Sequence, residues 1–329
     1  MMEPEANLPA HGAPPAILFL VFNRLDTAVE VMRAIAMQRP QRLYIAGDGP
    51  RGARPHEEAV TREVRDTMLA MIDWPCDVRT LFQDQNLGCR SGVKTAIDWF
   101  FANEAEGIIL EDDVVPCPDF FRFAAEMLDR YRDEPRVMMI SGTNPLGAAL
   151  TSERFLFSSL GSIWGWATWR DSWARYDVDM RGWGAEAAAL LRQRHGRDTA
   201  NYLQHIFDFH QRHDVDTWDT QWMYALQAND GVSVVPEANL IRNIGVVGTH
   251  SSVEMRNHHL AYGKIDWPIR PRDTGIKDDA TFRDRLTREL LLPAMRISTL
   301  SQWARTFGLH GMLKGAYRMI RKVRSGTGD

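Results

Sequence analysis

Strand-length apolar runs alternate with helix-period segments five times between residues 16 and 140, which confines this part of the chain to an open α/β sheet. Residues 16–22 (Ala-Ile-Leu-Phe-Leu-Val-Phe) form an unbroken apolar run, as expected of a parallel strand covered on both faces. Asn23-Arg24 ends it. Thr27 and Glu30 then stand at capping-box spacing, with Ala28, Val31, Met32 and Ile35 on one helical face. The same reading gives strands at 42–46, 78–82, 107–110 and 137–140. Helices are expected at 56–72, 91–103 and 118–131, the last with Pro118 in its first turn.

In open sheets of this kind ligands bind outside the carboxyl ends of the strands. The residues that fall there are Asn23-Arg24 after the first strand, Asp48 after the second, and Glu111-Asp112-Asp113 after the fourth. Acids and one arginine therefore gather on a single rim.

Beyond Thr151 the alternation stops. Trp164, Trp166, Trp169, Trp173 and Trp183 crowd together, with Trp169 and Trp173 at a helical spacing that suits core packing. Helices are expected at 185–194, 199–212 and 219–229, and short strands at 232–235 and 239–242. Residues 1–15, with four prolines and no periodicity, read as a disordered lead-in. Residues 16–294 read as one domain with a ligand-binding half (16–150) and a second half (151–294). Residues 295–329 form a tail with seven basic residues and one acid, while the whole chain carries a net charge of −4. That balance excludes nucleic-acid binding by bulk electrostatics. The tail repeats apolar residues at helical steps between its basic ones, so it suits either an acidic body or an anionic membrane surface.

Cys76, Cys89 and Cys117 have no metal-ligand spacing and read as reduced thiols in a cytoplasmic compartment. No secretory leader is expected, and no run approaches the roughly 18 apolar residues of a membrane span. The scattered histidines, among them His195, His213, His258 and His259, read as surface residues.

Three adjacent acids after a buried strand are costly to hold together, so water or a cation must compensate. They can form a solvated turn capping the Pro118 helix, or a Mg²⁺ or Mn²⁺ site completed by substrate phosphates. Asp219 at a helix start can be an N-cap or a general base. Arg90 and Lys94, one turn apart, can contact phosphate or face solvent.

The segment Ile109-Leu-Glu111-Asp112-Asp113-Val-Val-Pro-Cys-Pro118-Asp-Phe-Phe121 resembles the metal-binding segment of GT-A-fold nucleotide-diphospho-sugar glycosyltransferases. It is similar to the N-acetylglucosaminyltransferase I family and its bacterial glycosyltransferase-like relatives. Further segments agree in order, over roughly residues 16–255: Ile17-Leu-Phe-Leu-Val-Phe-Asn23-Arg24, Ala46-Gly-Asp48-Gly, Asn86-Leu-Gly88-Cys-Arg90, Gly165-Trp166, Thr217-Trp218-Asp219-Thr-Gln-Trp222 and Gly248-Thr-His250-Ser251. Asn23 stands where the family has an acid. The resemblance implies a mostly parallel sheet flanked by helices with a mixed acceptor-side half. It implies a sugar transferase using a nucleoside-diphosphate sugar, UDP by default, Mn²⁺ or Mg²⁺, and a glycan or lipid-linked acceptor. Asp113, with His250 as a second ligand or diphosphate contact, would hold the metal. Arg24, Asp48, Arg90, Glu111 and Asp112 would contact the donor, and Asp219 would be the base. Gly165, Trp166 and Trp218 would line the sugar and acceptor side. The rivals are a sugar nucleotidyltransferase, which normally carries a glycine-rich loop after the first strand, and a non-catalytic glycan-binding relative.

Overall fold

A computed structural model of the chain describes residues 14–147, 154–245, 260–270 and 275–296. The expected lead-in up to residue 13, His250, His258-His259 and the tail from residue 297 lie outside the described residues.

The first half follows the expected alternation: β1 (Ile17–Val21), α1 (Leu25–Gln38), β2 (Arg42–Gly47), α2 (Glu57–Ala70), β3 (Asp77–Phe82), α3 (Gly88–Asn103), β4 (Glu106–Glu111), β5 (Val114–Pro116), α4 (Pro118–Arg130) and β6 (Val137–Ser141). Then come β7 (Phe155–Ser158), β8 (Trp166–Trp169), α5 (Arg170–Trp173), α6 (Ala185–His213), α7 (Asp219–Ala228), β9 (Val232–Pro236), β10 (Ile241–Asn243) and α8 (Ala280–Leu286).

Eight strands form one sheet in the order β3-β2-β1-β4-β8-β6-β9-β7, and β5 pairs separately with β10. β1 to β4 are parallel, as are β6 and β9, whereas β7 and β8 run the other way. This is the helix-flanked, mostly parallel sheet with a mixed second half that the resemblance implies.

Both faces of the central strands are dry, while the edge strand β3 is partly exposed. Ile17, Phe19, Val21, Ile45, Ile108 and Leu110 point into one core with Val31 and Ile35 of α1 and Phe123 and Met127 of α4. The alternate residues Leu18, Leu20, Tyr44 and Ile109 meet Ile97 and Phe100 of α3 and Trp218 and Trp222 on the other side. Burial on both faces explains the unbroken apolar runs, since neither side of these strands meets water.

Trp169 and Trp173 are buried but do not share a helix face. Trp169 closes β8 and joins the first core, and Trp173 on α5 joins the second. β8 was not expected from the sequence; its Trp-Ala-Thr-Trp shows no alternation because both faces are covered. The two helices expected at 185–194 and 199–212 are the two limbs of α6, broken at Gly196 (φ 73°), a conformation that glycine adopts without steric cost. His195, expected at the surface, is 9% exposed. Cys76 and Cys89 are partly buried and Cys117 buried, all three free. No helix among the described residues is long and apolar enough to cross a membrane.

Candidate active site

Parallel pairing of β1 with β4 sets Leu20 beside Glu111, so the residues leaving the two strands meet at one rim. Arg24, just before α1, reaches across. Its Nη1 donates to Asp113 Oδ2 at 2.7 Å, and its Nε and Nη2 donate to the two oxygens of Asp112. Asp112 is 4% exposed. Three carboxylates thus face one guanidinium. Glu111 Oε1 is buried and has no hydrogen-bond partner among the described residues. Burial, with Asp113 and Asp112 beside it, holds the Glu111 carboxyl well above the usual carboxylate range. Burial also pushes Asp112 up to about 6, against the opposing pull of Arg24.

The backbone presses in on this cluster. The Ile244 N–H donates to the Asp113 carbonyl at 2.8 Å. A Cβ on Gly245 would lie 2.2 Å from Asp113 Oδ2, so a larger residue there would have to displace the Asp113 carboxylate.

Asp219 opens α7 and faces the same rim. Its Oδ1 accepts from Thr217 Oγ1 and from the Thr220 N–H at 2.9 Å. Its charge reaches Glu111, adding to the upward shift there, and also Cys89 and Tyr176. Burial first, then the Glu111, Asp216, Asp219 and Asp48 carboxylates, push the Cys89 thiol up to about 12, so it stays protonated.

Two of the expected donor contacts are engaged within the chain. Asp48 accepts from the N–H groups of Gly49, Leu87 and Gly88 and from Asn86 Nδ2, at 2.8–3.1 Å. Those four bonds fill the acceptor positions of a carboxylate. Asp48 thus fixes the loop that opens α3, with no acceptor position left for a base or ribose. Arg90 likewise donates within the chain, to Asp214 Oδ1 at 2.8 Å and to the Val215 carbonyl. Asp216 in turn accepts from the Cys89 and Arg90 N–H groups at 3.0 and 2.8 Å. This reciprocal clip ties the start of α3 to the loop that carries Thr217 and Asp219. Lys94 pairs with Asp98 one turn on.

The aromatic residues expected at the acceptor side are packed away. Trp166 is 0% and Trp218 2% exposed. They stack at 5.6 Å between centroids, with Trp173 and Trp222 against Trp166. Neither presents a face to a sugar; they form the wall behind Asp219. Gly165 (φ 61°) is a packing glycine, because a Cβ there would lie 2.4 Å from Ile241 Cδ1.

Sequence reasoning placed Asn23 at the rim but missed its partner there, Glu57. Asn23 Nδ2 donates to Glu57 Oε1 at 2.8 Å, and Glu57 also takes the Arg51 guanidinium and backbone N–H. Those bonds, led by that of Arg51, hold Glu57 down at about 2. Asn23, Arg54, His56 and Glu57 line a cavity of about 500 Å³ beside Arg24. Nothing in the local pattern around Glu57 marks it, since its partner is 34 residues away. Among the described residues no three His, Cys, Asp or Glu side chains converge as a complete metal-ligand set.

No protein-family model and no curated protein sequence matches the chain. Among solved structures it is similar to HddC from Yersinia pseudotuberculosis (11% identity, TM-score 0.29, 48% of this chain and 77% of that one). Another is the inositol-1-phosphate CTP transferase from T. maritima (7%, 0.32, 50% and 74%). A third is the glycosyltransferase GlyE of Streptococcus pneumoniae TIGR4 (12%, 0.32, 67% and 45%). These likenesses assign no role to any side chain.

Proposed function

We propose that the chain is a metal-dependent glycosyltransferase that moves a sugar from a nucleoside-diphosphate sugar, a UDP-sugar by default, to a glycan or lipid-linked acceptor with inversion. The observation that carries this reading is the rim cluster. Among the described residues, Arg24 is the cation paired with Asp112 and Asp113, and Glu111 Oε1 is left without a partner.

A divalent cation would supply the positive charge that the buried Glu111 carboxyl needs in order to ionise, and Mg²⁺ or Mn²⁺ commonly takes one or two carboxylates and completes its shell with substrate phosphates. Asp113 would be the ligand, with Glu111 and Asp112 on the sugar and ribose side. The bound cation supplies Lewis-acid stabilisation of the departing diphosphate. Asp219 would take the acceptor hydroxyl proton, and the Trp166–Trp218 stack holds its helix start in place. Arg24 holds Asp112 and Asp113 together and adds positive charge where the phosphates arrive. One base opposite a leaving group suffices for direct displacement, hence inversion. His250 remains a proposed second contact to diphosphate or metal.

A sugar nucleotidyltransferase is less suited, since Asn23-Arg24-Leu25-Asp26 offers no glycine-rich phosphate loop. The tail is proposed to hold the protein at the cytoplasmic face of an anionic membrane. Incubation with Mn²⁺ and a panel of nucleotide sugars, followed by detection of nucleoside-diphosphate release, tests the main reading. EDTA-sensitive release from one donor is expected. No turnover and no binding of any donor would overturn it and leave the non-catalytic relative.

A further inference from the structure

The sheet has a second polar cavity, of about 270 Å³, at the end away from the candidate active site. Its lining includes Arg136, Arg194, His195, Gln227, Asp278 and Arg283. Arg136 directly precedes β6, and Val232, the first residue of β9, also borders the cavity. Both strands run in the sense of β4, so their amino ends lie opposite the rim that carries Glu111.

His195 is the informative residue. Gln227 Nε2 donates to the Ser159 carbonyl at 2.7 Å, which turns Gln227 Oε1 toward His195 Nε2 at 2.8 Å. Oε1 can only accept, so Nε2 carries the imidazole proton and Nδ1 presents a lone pair. The side chain is 7% exposed, and Nδ1 has no hydrogen-bond partner among the described residues. Its neighbour is Asp278 Oδ2 at 3.8 Å, a carboxylate oxygen with no proton to give. Burial lowers the His195 pKa, against the pull of Asp278. Two acceptors therefore face each other across a gap that a hydroxyl donor would close.

At that gap the Arg283 guanidinium already pairs with Asp278 Oδ2, which disfavours a metal ion in the donor's place. Three guanidinium groups border the cavity. Arg136 and Arg194 lie 3.2 and 3.7 Å from the oxygens of Asp230, and Arg283 pairs with Asp278 and Asp284. Arg136 and Arg194 thus share the single carboxylate of Asp230, which leaves one positive charge in excess on that side of the cavity. Arg136 and Arg194 also donate to the Ile276 and Gln227 carbonyls, yet they are 43% and 35% exposed and within reach of an incoming anion.

We propose that this cavity binds a small hydroxylated anion, its phosphate or carboxylate on Arg136 and Arg194 and its hydroxyl donating to His195 Nδ1. The site stands apart from the candidate active site and does not depend on the reaction performed there.

Calorimetric titration of the full chain with glycerol 3-phosphate and with glycerate tests this, with inorganic phosphate and glycerol as single-feature controls. At least one hydroxylated anion is expected to bind about tenfold more tightly than phosphate. Arg194→Gln is expected to weaken it about tenfold, the scale of one hydrogen bond to a charged group. Asp113→Asn, at the other rim, should leave it unchanged. The ¹⁵N resonance of His195 Nδ1 in the unsubstituted protein should move toward that of a hydrogen-bonded acceptor on saturation, a readout that needs no folded variant. Binding no tighter than phosphate, binding indifferent to Arg194→Gln, loss in Asp113→Asn, or an unmoved Nδ1 resonance would each overturn the proposal.

Discussion

Arg24 Nη1 lies 2.7 Å from Asp113 Oδ2, although the two residues are 89 positions apart. The contact exists because β1 and β4 are neighbours in the sheet and each ends in a polar residue where the parallel strands open to solvent. Among the described residues it leaves Glu111 Oε1 without a partner of its own.

Asp113→Asn is expected to abolish Mn²⁺-dependent transfer, because a neutral amide cannot balance a divalent cation. The melting temperature should change little, since Arg24 keeps its bonds to Asp112. Turnover with unchanged Mn²⁺ dependence would assign the metal to other residues.

Asp219→Asn should lower kcat by about 10²–10⁴, the range for loss of a general base. Donor KM should stay near its original value, because the base meets the acceptor. A rise in donor KM with normal kcat would make Asp219 a donor contact instead.

Asn23→Asp restores the acid found in the family that the segment resembles, yet it should harm the protein. The Asn23 amide donates to Glu57 at 2.8 Å, so an aspartate would set two carboxylates against each other. A loss of about 1–3 kcal/mol in chemical denaturation at neutral pH is expected, smaller under acid. Unchanged stability would show that Asn23 and Glu57 separate without cost.

Glu57 sets an acid limb in the stability profile. Its folded-state pKa, about 2, is below the ordinary 4.5, so its contribution is complete above about pH 4.5 and is lost as pH falls toward 2. Denaturation midpoints measured from pH 7 to pH 2 should fall less steeply over that window in Glu57→Gln. Parallel profiles would remove Glu57 as the source.

Removal of residues 296–329, which carry seven basic residues against one acid, should abolish co-sedimentation with anionic vesicles and spare neutral-vesicle behaviour. Equal binding with and without the tail would end the membrane proposal.

The strand and helix order of the first half was legible because burial on both faces forces runs such as Ile17–Val21 to be apolar throughout, and α1 or α4 to show one apolar stripe. The rim was legible for the same reason. A polar residue directly after such a run must lie at the open end of a strand, which placed Arg24 and Glu111-Asp112-Asp113 together. β8 was not legible: its four residues are buried on both sides and too few to show a period.

Sequence alone therefore determined the main strands and helices of the first half and which residues stand at their ends, since both follow from local periodicity and the avoidance of water. Tertiary structure decided which groups those residues meet. Asp216 caps α3 from 127 residues away, Arg90 turns to Val215 rather than to a ligand, and Trp166 and Trp218 stack behind the rim instead of lining it. His195 is buried against Gln227, 32 residues on. Hydrogen bonds and ring contacts are satisfied within a few ångströms, and only the path of the folded chain brings such distant residues that close.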